Sequence, residues 1–303
     1  MGCPSPGVSW KGTDNRQLTT EGHAAMHVDV IQRQYDEVIA SNYDSDPKSI
    51  IGDSQDRALR QIERHGLVGN RFDPLCVLDL GIGTGKFLER LRYVAAGGIR
   101  PFGIDVSEKM IEIAQRRLPD LAAVVDDGAS FHAHFKDVKF DLICTQFVTG
   151  FVPITVLAPK IWDGLASGGY WSLVGGTQAG FPRLQSLAKG KLLKWAFKGR
   201  SFYVSEYVCN PADQTEVERA MEDHGFEVCA CETFEPELHF KNFSDFYTFA
   251  YLGGWLTPIL EALGLHRPSP VLTAVLNTCL FPVRDHHNIV IALARKRPTA
   301  PRR

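Results

Sequence analysis

The feature that most constrains this sequence is an apolar, strand-like segment that ends in Asp79 and is followed by glycines at three alternating positions, Gly81, Gly83 and Gly85. Glycine lacks a Cβ, so the backbone at these positions can adopt positive φ angles and approach a ligand closely. From Lys86 onward, apolar side chains recur at helical spacing. The free N–H groups at the start of that helix would face a polar or anionic ligand. The segment therefore predicts a ligand-binding turn between a strand and a helix.

The spacing of these glycines separates the turn from two common nucleotide-binding loops. A dinucleotide-binding loop needs its third glycine one residue later, where the chain has Lys86. A nucleoside triphosphate loop needs Ser or Thr after Gly-Lys, where the chain has Phe87, and an earlier glycine where it has Leu80. Neither pattern is met, although an NAD(P)-dependent oxidoreductase stays open as an alternative function.

Strands and helices alternate along most of the chain. We predict strands at 75–80, 100–105, 122–126, 139–144, 170–174, 226–234 and 288–295, and helices at 28–66 (with a break at Asp46-Pro47), 86–96, 107–118, 154–166 and 213–224. This alternation predicts an α/β fold of the Rossmann-like, doubly wound type. Its seven-stranded sheet would be mainly parallel, with helices on both faces, additional N-terminal helices and a helical lid insertion.

The same patterns divide the chain into segments. We expect a disordered tail at 1–27, an N-terminal helical segment at 28–72, the main domain at 73–296 and a basic tail at 297–303. Two stretches, 177–210 and 235–285, are long for simple connections, and long insertions usually cover functional sites.

Asp105 is the second residue that points to a nucleoside ligand. It closes the second predicted strand, 20 residues after Gly85. In doubly wound folds, an acidic side chain at this place can accept hydrogen bonds from both hydroxyls of a ribose. Ser107 begins the next helix as its N-cap, and Ser107 and Met110 would border the same pocket.

Several segments follow one another in the order and spacing of a known family. They are the Asp-x-Gly-x-Gly-x-Gly run at 79–85, Gly-Ile-Asp-Val-Ser at 103–107, Val-Asp-Asp-Gly-Ala at 125–129, Phe-Asp-Leu-Ile-Cys-Thr-Gln-Phe at 140–147, the Gly-Gly turn at 168–169 and a Tyr-Asp segment at 35–44. Together they resemble the class I S-adenosylmethionine-dependent methyltransferases that act on small molecules.

The resemblance implies S-adenosylmethionine as cofactor and S-adenosylhomocysteine as product. It implies that an acidic residue, Asp127 rather than Asp126, contacts the adenine, that residues 145–147 lie beneath the methionine part, and that a tyrosine folds over the carboxylate end. The cofactor-binding residues that it implies are Tyr35, Tyr43, Asp79, Gly81, Gly83, Gly85, Asp105, Val106, Ser107, Met110, Asp127, Gly128, Thr145, Gln146 and Phe147.

Methyl transfer from a sulfonium is an in-line displacement, so positioning and exclusion of water matter most. A general base is needed only if the acceptor loses a proton. His287, beside the last strand, and His239, at the start of the larger insertion, are the candidates. The seven scattered cysteines contain no Cys-x-x-Cys pair, so we expect no metal site and a reducing compartment, the cytoplasm.

The acceptor is expected to be small and apolar or aromatic. Residues 240–281 are rich in aromatic side chains and poor in charge, and a lid made of them would form an apolar pocket. The same stretch could instead be a homodimer interface or additional core. The Asn/Asp-Pro-Pro-Tyr/Phe motif of amino-group methylation is missing, which favours O- or C-methylation over N-methylation. A protein that binds the cofactor without transferring methyl groups remains an alternative.

Bulk properties exclude two classes of partner. The net charge of −2 gives no basic surface for nucleic acid. The longest apolar stretch, 246–260, is interrupted by two glycines and a proline, so we expect no stable membrane insertion.

Overall fold

The computed structural model describes residues 17–18, 24–25, 28–69, 73–188 and 208–298. The strands are β1 (Gln17–Leu18), β2 (Ala24–Ala25), β3 (Leu75–Leu80), β4 (Ile99–Asp105), β5 (Ala122–Val125), β6 (Phe140–Gln146), β7 (Leu165–Gly176), β8 (Phe226–Phe234), β9 (Glu237–Phe240), β10 (Val283–His286) and β11 (Ile289–Lys296). The α-helices are α1 (Val28–Gln34), α2 (Ile50–Arg64), α3 (Lys86–Val94), α4 (Glu108–Arg117), α5 (Phe131–His134), α6 (Ile154–Gly164), α7 (Pro182–Ala188), α8 (Gln214–Asp223), α9 (Phe243–Tyr247), α10 (Thr257–Ala262) and α11 (Pro270–Cys279).

Seven strands form one sheet in the order β5-β4-β3-β6-β7-β11-β8. The first five are parallel to one another, and β11 runs antiparallel to both of its neighbours. The prediction of a Rossmann-like, mainly parallel seven-stranded sheet is confirmed. The chain changes direction across the sheet between β3 and β6. Ligands of doubly wound folds bind at such a point, beyond the carboxyl ends of the strands.

The sheet is buried on both faces, as parallel sheets are. Every residue of β3 is buried, and alternate residues of the central strands enter two apolar clusters on opposite faces. Helices α2 and α3 cover one face, where Ile50, Leu59 and Ile62 are buried, and α6 and α8 cover the other. The N-terminal helical segment is therefore part of the core that supports the site.

The helix predicted at 154–166 is two residues too long. α6 ends at Gly164, and Leu165 already pairs with Phe140 of β6. The expected Gly-Gly turn lies inside β7, where Gly168 has φ +77° and the register shifts. A Cβ on Gly169 would stand 3.0 Å from the carbonyl oxygen of Phe140, so the close backbone pairing of these strands requires glycine here.

The larger insertion differs from the expected purely helical one. β9 and β10 pair as an antiparallel ladder at its base, and three short helices and a π-helical turn, Thr248–Leu252, lie between them. Its aromatic side chains join the apolar cluster on the α2 face of the sheet.

The ends of the chain are described only in part. Within the predicted tail, β1 and β2 form a two-residue antiparallel pair, and the rest of 1–27 lies outside the described residues, as do 189–207 of the smaller insertion and 299–303 of the basic tail. Among the helices that the structure describes, none has both the length and the apolar character needed to cross a bilayer.

Candidate active site

The glycine turn after β3 adopts the conformation that its sequence predicts. Gly81, Gly83 and Gly85 have φ angles of +69°, +55° and +75°. These values lie in the left-handed region, which side chains other than glycine adopt at a cost. A Cβ on Gly81 would also stand 2.7 Å from the Val148 side chain.

The other two glycines face different neighbours. A Cβ on Gly83 would point to Tyr43, 3.7 Å away, and so toward the cleft beside the turn. A Cβ on Gly85 would lie 3.1 Å from the Cβ of Ala114 in α4. Gly83 therefore borders the ligand side of the turn, whereas Gly85 lets α3 pack closely against α4.

Asp105 lies at the carboxyl end of β4, next to the turn. Its Oδ2 accepts a hydrogen bond from the Gly83 N–H (2.8 Å), and its Oδ1 accepts one from the Ser107 N–H (3.0 Å). Burial raises the pKa of Asp105 to about 6, although the backbone N–H groups partly oppose this rise. The carboxylate is thus fixed in orientation and keeps lone pairs for further donors.

Ser107 and Met110 hold the edge of the cleft. The Ser107 hydroxyl caps α4 by accepting from the Met110 N–H (3.1 Å) and donates to Asp36 of the N-terminal segment (2.6 Å). Met110 is fully buried and packs against Ile39. Val106 lies between the Asp105 and Ser107 positions in the chain.

Asp79 and Gln146 bring unpartnered polar atoms to the end of the sheet. Asp79 Oδ1 and both amide atoms of Gln146 are buried without a hydrogen-bond partner in the described structure. Burial, with repulsion from Asp105, raises the pKa of Asp79 well above its usual range. Both residues line a small cavity with Tyr43 and Lys86. Buried polar groups are normally paired, so these atoms leave hydrogen-bonding capacity for a polar group in the cavity.

The segment after β5 lies alongside the glycine turn. A Cβ on Gly128 would stand 3.9 Å from the Gly81 nitrogen. Asp127 accepts a hydrogen bond from the Ala129 N–H (2.8 Å), and Asp126 bonds to His134 (2.6 Å), which lowers the pKa of Asp126. Asp126 is thereby engaged away from the turn, and Asp127 is the acidic residue next to Gly128.

The side chains of residues 145–147 do not all lie at the cleft. The Thr145 hydroxyl accepts a hydrogen bond from the Trp171 indole (3.0 Å) and is buried on the α6 face, so its side chain is not brought to the cleft. The cause is the alternation of side chains along a strand, which sends Gln146 to the other face. Phe147 has φ +61°, and its ring lies edge-on to Trp255, with 5.0 Å between centroids.

A larger cavity adjoins the small one, and Tyr43 and Ile51 line both. About 810 Å³ of empty space lies in this region, with the open solvent at its mouth included. Tyr35 and Tyr43 form one wall, and burial raises the pKa of both phenols. The remaining lining residues are Phe147, Gly150, Phe151, Thr177, Gly180, Phe181, Val208, Asn210, Gly253, Gly254, Trp255, Leu256, Pro258, Ile259 and His287. No described residue of this lining is Asp, Glu, Lys or Arg.

The two candidate histidines have different surroundings. His287 is 4% exposed and stacks on Phe181, with 4.3 Å between ring centroids. Burial lowers its pKa to about 3, so the ring is neutral at physiological pH. His239, by contrast, is exposed on β9 between the buried Leu238 and Phe240, and it does not line the cavity.

Phe181 and Asn210 are cavity residues that the sequence analysis did not identify. They lie in the smaller insertion, where no motif or periodicity marks them, although the length of the insertion predicted a functional role for the segment. Within the described ranges, no group of three or more His, Cys, Asp or Glu residues could hold a metal ion.

Comparisons with known proteins agree with this geometry. Residues 77–169 match a family model described as a methyltransferase domain. Among proteins with curated functions, none is detectably similar to this chain in sequence.

Solved structures share the fold. The YcgJ protein from Bacillus subtilis is 15% identical, with coverage of 80% of this chain and 99% of that chain and a TM-score of 0.51. A candidate methyltransferase, BH2331, from Bacillus halodurans C-125 gives the same identity and coverage, with a TM-score of 0.50. The magnesium protoporphyrin IX methyltransferase of Synechocystis PCC 6803, with bound S-adenosylhomocysteine, is 15% identical over 88% of this chain and 93% of that chain, at a TM-score of 0.49.

The matched domain begins in β3, includes the glycine turn and Asp105, and extends into β7. The chain therefore contains a methyltransferase domain, and S-adenosylmethionine is its cofactor.

Proposed function

We propose that this enzyme methylates a small, uncharged, apolar or aromatic acceptor that binds in the larger cavity. The observation that carries the proposal is the lining of that cavity, which is aromatic and has no charged side chain among its described residues. Transfer of a charged acceptor into such surroundings would cost its hydration without compensation. An aromatic acceptor would gain apolar contacts instead.

The cofactor would occupy the cleft along the glycine turn. Asp105 would accept hydrogen bonds from the ribose hydroxyls, and Asp127 and Gly128 would border the adenine. Asp79 and Gln146 would pair with the charged methionine end, which gives their unpartnered buried atoms a function. The bound cofactor supplies a sulfonium with a transferable methyl group. Tyr43, which lines both cavities, would lie where the cofactor and acceptor meet.

The two insertions would act as a cover for the acceptor, which favours a lid over a dimer interface as the function of 235–285. Trp255 and Ile259 of the larger insertion and Phe181 of the smaller one line the cavity. A cover of this kind excludes water from the reacting groups.

Polar contacts tie this cover to the N-terminal segment. Glu261 of α10 accepts from Gln34 (2.7 Å) and pairs with Arg33 (3.2 Å). Lys48 pairs with Asp245 of α9 (2.8 Å). These contacts join the two segments that flank the cavity, so movement of one would involve the other.

The residues that line the cavity also indicate which kind of acceptor atom receives the methyl group. An amine acceptor that is protonated in water would need a carboxylate beside it, and the described lining has none. Hydroxyl and activated carbon acceptors need no such partner. We therefore expect O- or C-methylation.

An acceptor panel tests the proposal. The chain and S-adenosylmethionine would be incubated with 2-naphthol, a naphthoquinol, glucose, glycine or 2-phenylethylamine, and release of S-adenosylhomocysteine would be measured with the product mass. We expect turnover of the aromatic alcohols only. The Trp255→Ala variant should raise KM because the cavity loses an aromatic wall, whereas Tyr93→Ala, at an exposed surface position, should behave as wild type. Preferential methylation of glycine or 2-phenylethylamine would contradict the proposal, and cofactor binding without turnover of any acceptor would favour a non-methylating protein.

A further inference from the structure

His287 is an unusual residue for the place that it occupies. Its ring is enclosed by Phe181 and Trp255, whose centroids lie 4.3 and 5.2 Å from its own, and its Nδ1 is buried without a hydrogen-bond partner in the described structure. An apolar side chain would avoid the cost of an unpaired buried polar group. Nδ1 lies against Gly180, where a Cβ would stand 2.5 Å away, so a ligand in the cavity would meet the other ring nitrogen, Nε2.

Asn210 brings a second polar group to the same wall. Its side-chain amide forms no hydrogen bond with the described residues, while its backbone oxygen accepts from Gln178 (3.0 Å) and fixes the local chain. Gly176 lies between the two side chains. A Cβ on Gly176 would stand 3.2 Å from His287 Nε2 and 3.4 Å from Asn210 Nδ2. Both nitrogens therefore lie next to Gly176, and a side chain at that position would crowd them.

We propose that His287 and Asn210 recognise the hydroxyl group of an aromatic alcohol, and that His287 takes the proton of that hydroxyl as the methyl group is transferred. This inference rests on the proposed function and specifies its acceptor. The aromatic rings of the cavity would hold the acceptor ring, and the polar pair would orient its oxygen. The Asn210 amide would donate to the hydroxyl oxygen, and the hydroxyl would donate to Nε2 of His287.

The proposed methyl transfer conserves atoms, electron pairs and charge within the cavity. A lone pair of the acceptor oxygen forms the new O–C bond, and the C–S bond breaks with its electron pair on sulfur. The hydroxyl proton passes to His287, so the products are a methyl ether, neutral S-adenosylhomocysteine and an imidazolium. One positive charge leaves sulfur while one appears on the ring, and the net charge of the cavity is unchanged. The proton then leaves to solvent when the product departs.

The neutral state of His287 suits this role. Because burial holds its pKa near 3, the ring can accept a hydrogen bond throughout the physiological pH range. Its position depends on Gly180, since a Cβ there would stand 2.5 Å from Nδ1. A side chain at Gly180 would therefore displace the ring from the wall.

A binding comparison tests recognition without relying on turnover. The full chain, saturated with S-adenosylhomocysteine, would be titrated calorimetrically with 2-naphthol and with 2-methoxynaphthalene, its methyl ether. We expect the alcohol to bind about tenfold more tightly than the ether in the wild type, as one or two neutral hydrogen bonds allow. His287→Leu and Asn210→Leu, which keep approximate shape, should bring this ratio close to one. His239→Leu, at the exposed histidine outside the cavity, should leave it unchanged.

A second comparison separates recognition from proton transfer. His287→Gln keeps a hydrogen-bonding side chain but is a far weaker proton acceptor, so it should retain much of the binding ratio while kcat falls at least tenfold. A binding ratio that survives in His287→Leu, a wild type that prefers the ether, or a wild type that binds neither compound would overturn the inference. Failure of S-adenosylhomocysteine to bind would instead contradict the cofactor site and, with it, the proposed function.

Discussion

Asp105 combines burial, fixed orientation and remaining hydrogen-bonding capacity in one side chain. Two backbone N–H groups hold its oxygens, and a ribose would supply two more donors. We predict that Asp105→Ala weakens S-adenosylhomocysteine binding by about a hundredfold or more, because hydrogen bonds to a charged group contribute roughly 1.5–3 kcal/mol each. Calorimetric titration measures this loss. Asp120→Ala removes an exposed carboxylate that pairs with Arg92 and should leave the affinity unchanged. Near wild-type affinity in Asp105→Ala would refute the assignment.

The raised pKa of Asp105 predicts a pH dependence of cofactor binding. An ordinary aspartate stays ionised down to about pH 4, whereas Asp105 gains a proton as the pH falls through about 6. The protonated carboxyl accepts hydrogen bonds less well, so affinity for S-adenosylhomocysteine should fall roughly tenfold per pH unit below 6. Burial and repulsion from Asp105 also raise the pKa of Asp79. Titrations between pH 8 and 5 test this, and a constant affinity across that range would be incompatible with the buried carboxylates binding the ligand.

Gly83 and Gly85 should respond differently to the same substitution. Both have positive φ angles, so alanine at either position would cost roughly 1–2 kcal/mol of folding stability. Only the added methyl of Gly83→Ala would point to the cleft and Tyr43, whereas that of Gly85→Ala would press on α4. We predict that both variants lose thermal stability, Gly85→Ala the more, whereas the loss of cofactor affinity should be at least tenfold greater for Gly83→Ala. Equal losses of affinity would show that the turn acts only through its backbone shape.

At the scale of elements, α4 holds the glycine turn and the N-terminal segment together through Arg117. Its guanidinium donates to the Thr84 carbonyl oxygen (2.6 Å) and pairs with Asp44 (2.6 Å) and Glu89 (3.2 Å). Asp44 also accepts from the Thr84 hydroxyl (2.7 Å) and directly follows Tyr43. Arg117 thus positions the glycine turn and the segment that carries Tyr43, the two parts of the chain that we propose to border the cofactor.

We predict that Arg117→Ala weakens S-adenosylhomocysteine binding by roughly tenfold, because Tyr43 and the turn lose their shared anchor. Arg116→Ala, an exposed arginine one residue earlier on the same helix, is the matched control and should have no effect. Thermal unfolding in the absence of ligand would show whether the variant is folded. Unchanged affinity in a folded Arg117→Ala variant would mean that the N-terminal segment is held by its apolar contacts alone.

The helices and strands show which features of the structure can be predicted from local sequence patterns and which cannot. The strand at 75–80 and the Ser107 cap of α4 depend on local patterns, and both lie where the sequence predicted them. The orientation of Thr145 depends on which sheet face Trp171 occupies, and the position of His287 depends on Phe181, Trp255 and Gly180 from distant segments. Such contacts between distant parts of the chain follow from packing, which local patterns do not contain.

At the scale of the whole molecule, the site is assembled from segments that are far apart in the described chain. The glycine turn and Asp105 come from the carboxyl edge of the sheet, Tyr35 and Tyr43 from the N-terminal segment, and the aromatic cover from the two insertions. The glycine turn and Asp105 predicted where a ligand would bind, and the aromatic composition of 240–281 favoured an apolar pocket. The convergence of Asn210 and His287 on one wall required the assembled fold, since these residues are far apart in the sequence and lie in no motif.

Calorimetric titration of the purified, ligand-free chain with S-adenosylhomocysteine and S-adenosylmethionine, with NADH as the control, tests the central claim most directly. We predict micromolar binding of both sulfur compounds and no binding of NADH. The bound sulfur compounds should also stabilise the fold, by about 2.7 kcal/mol at a ligand concentration one hundred times the Kd. A folded chain that binds NADH and neither sulfur compound would contradict the account and would return the chain to the dinucleotide-binding oxidoreductases.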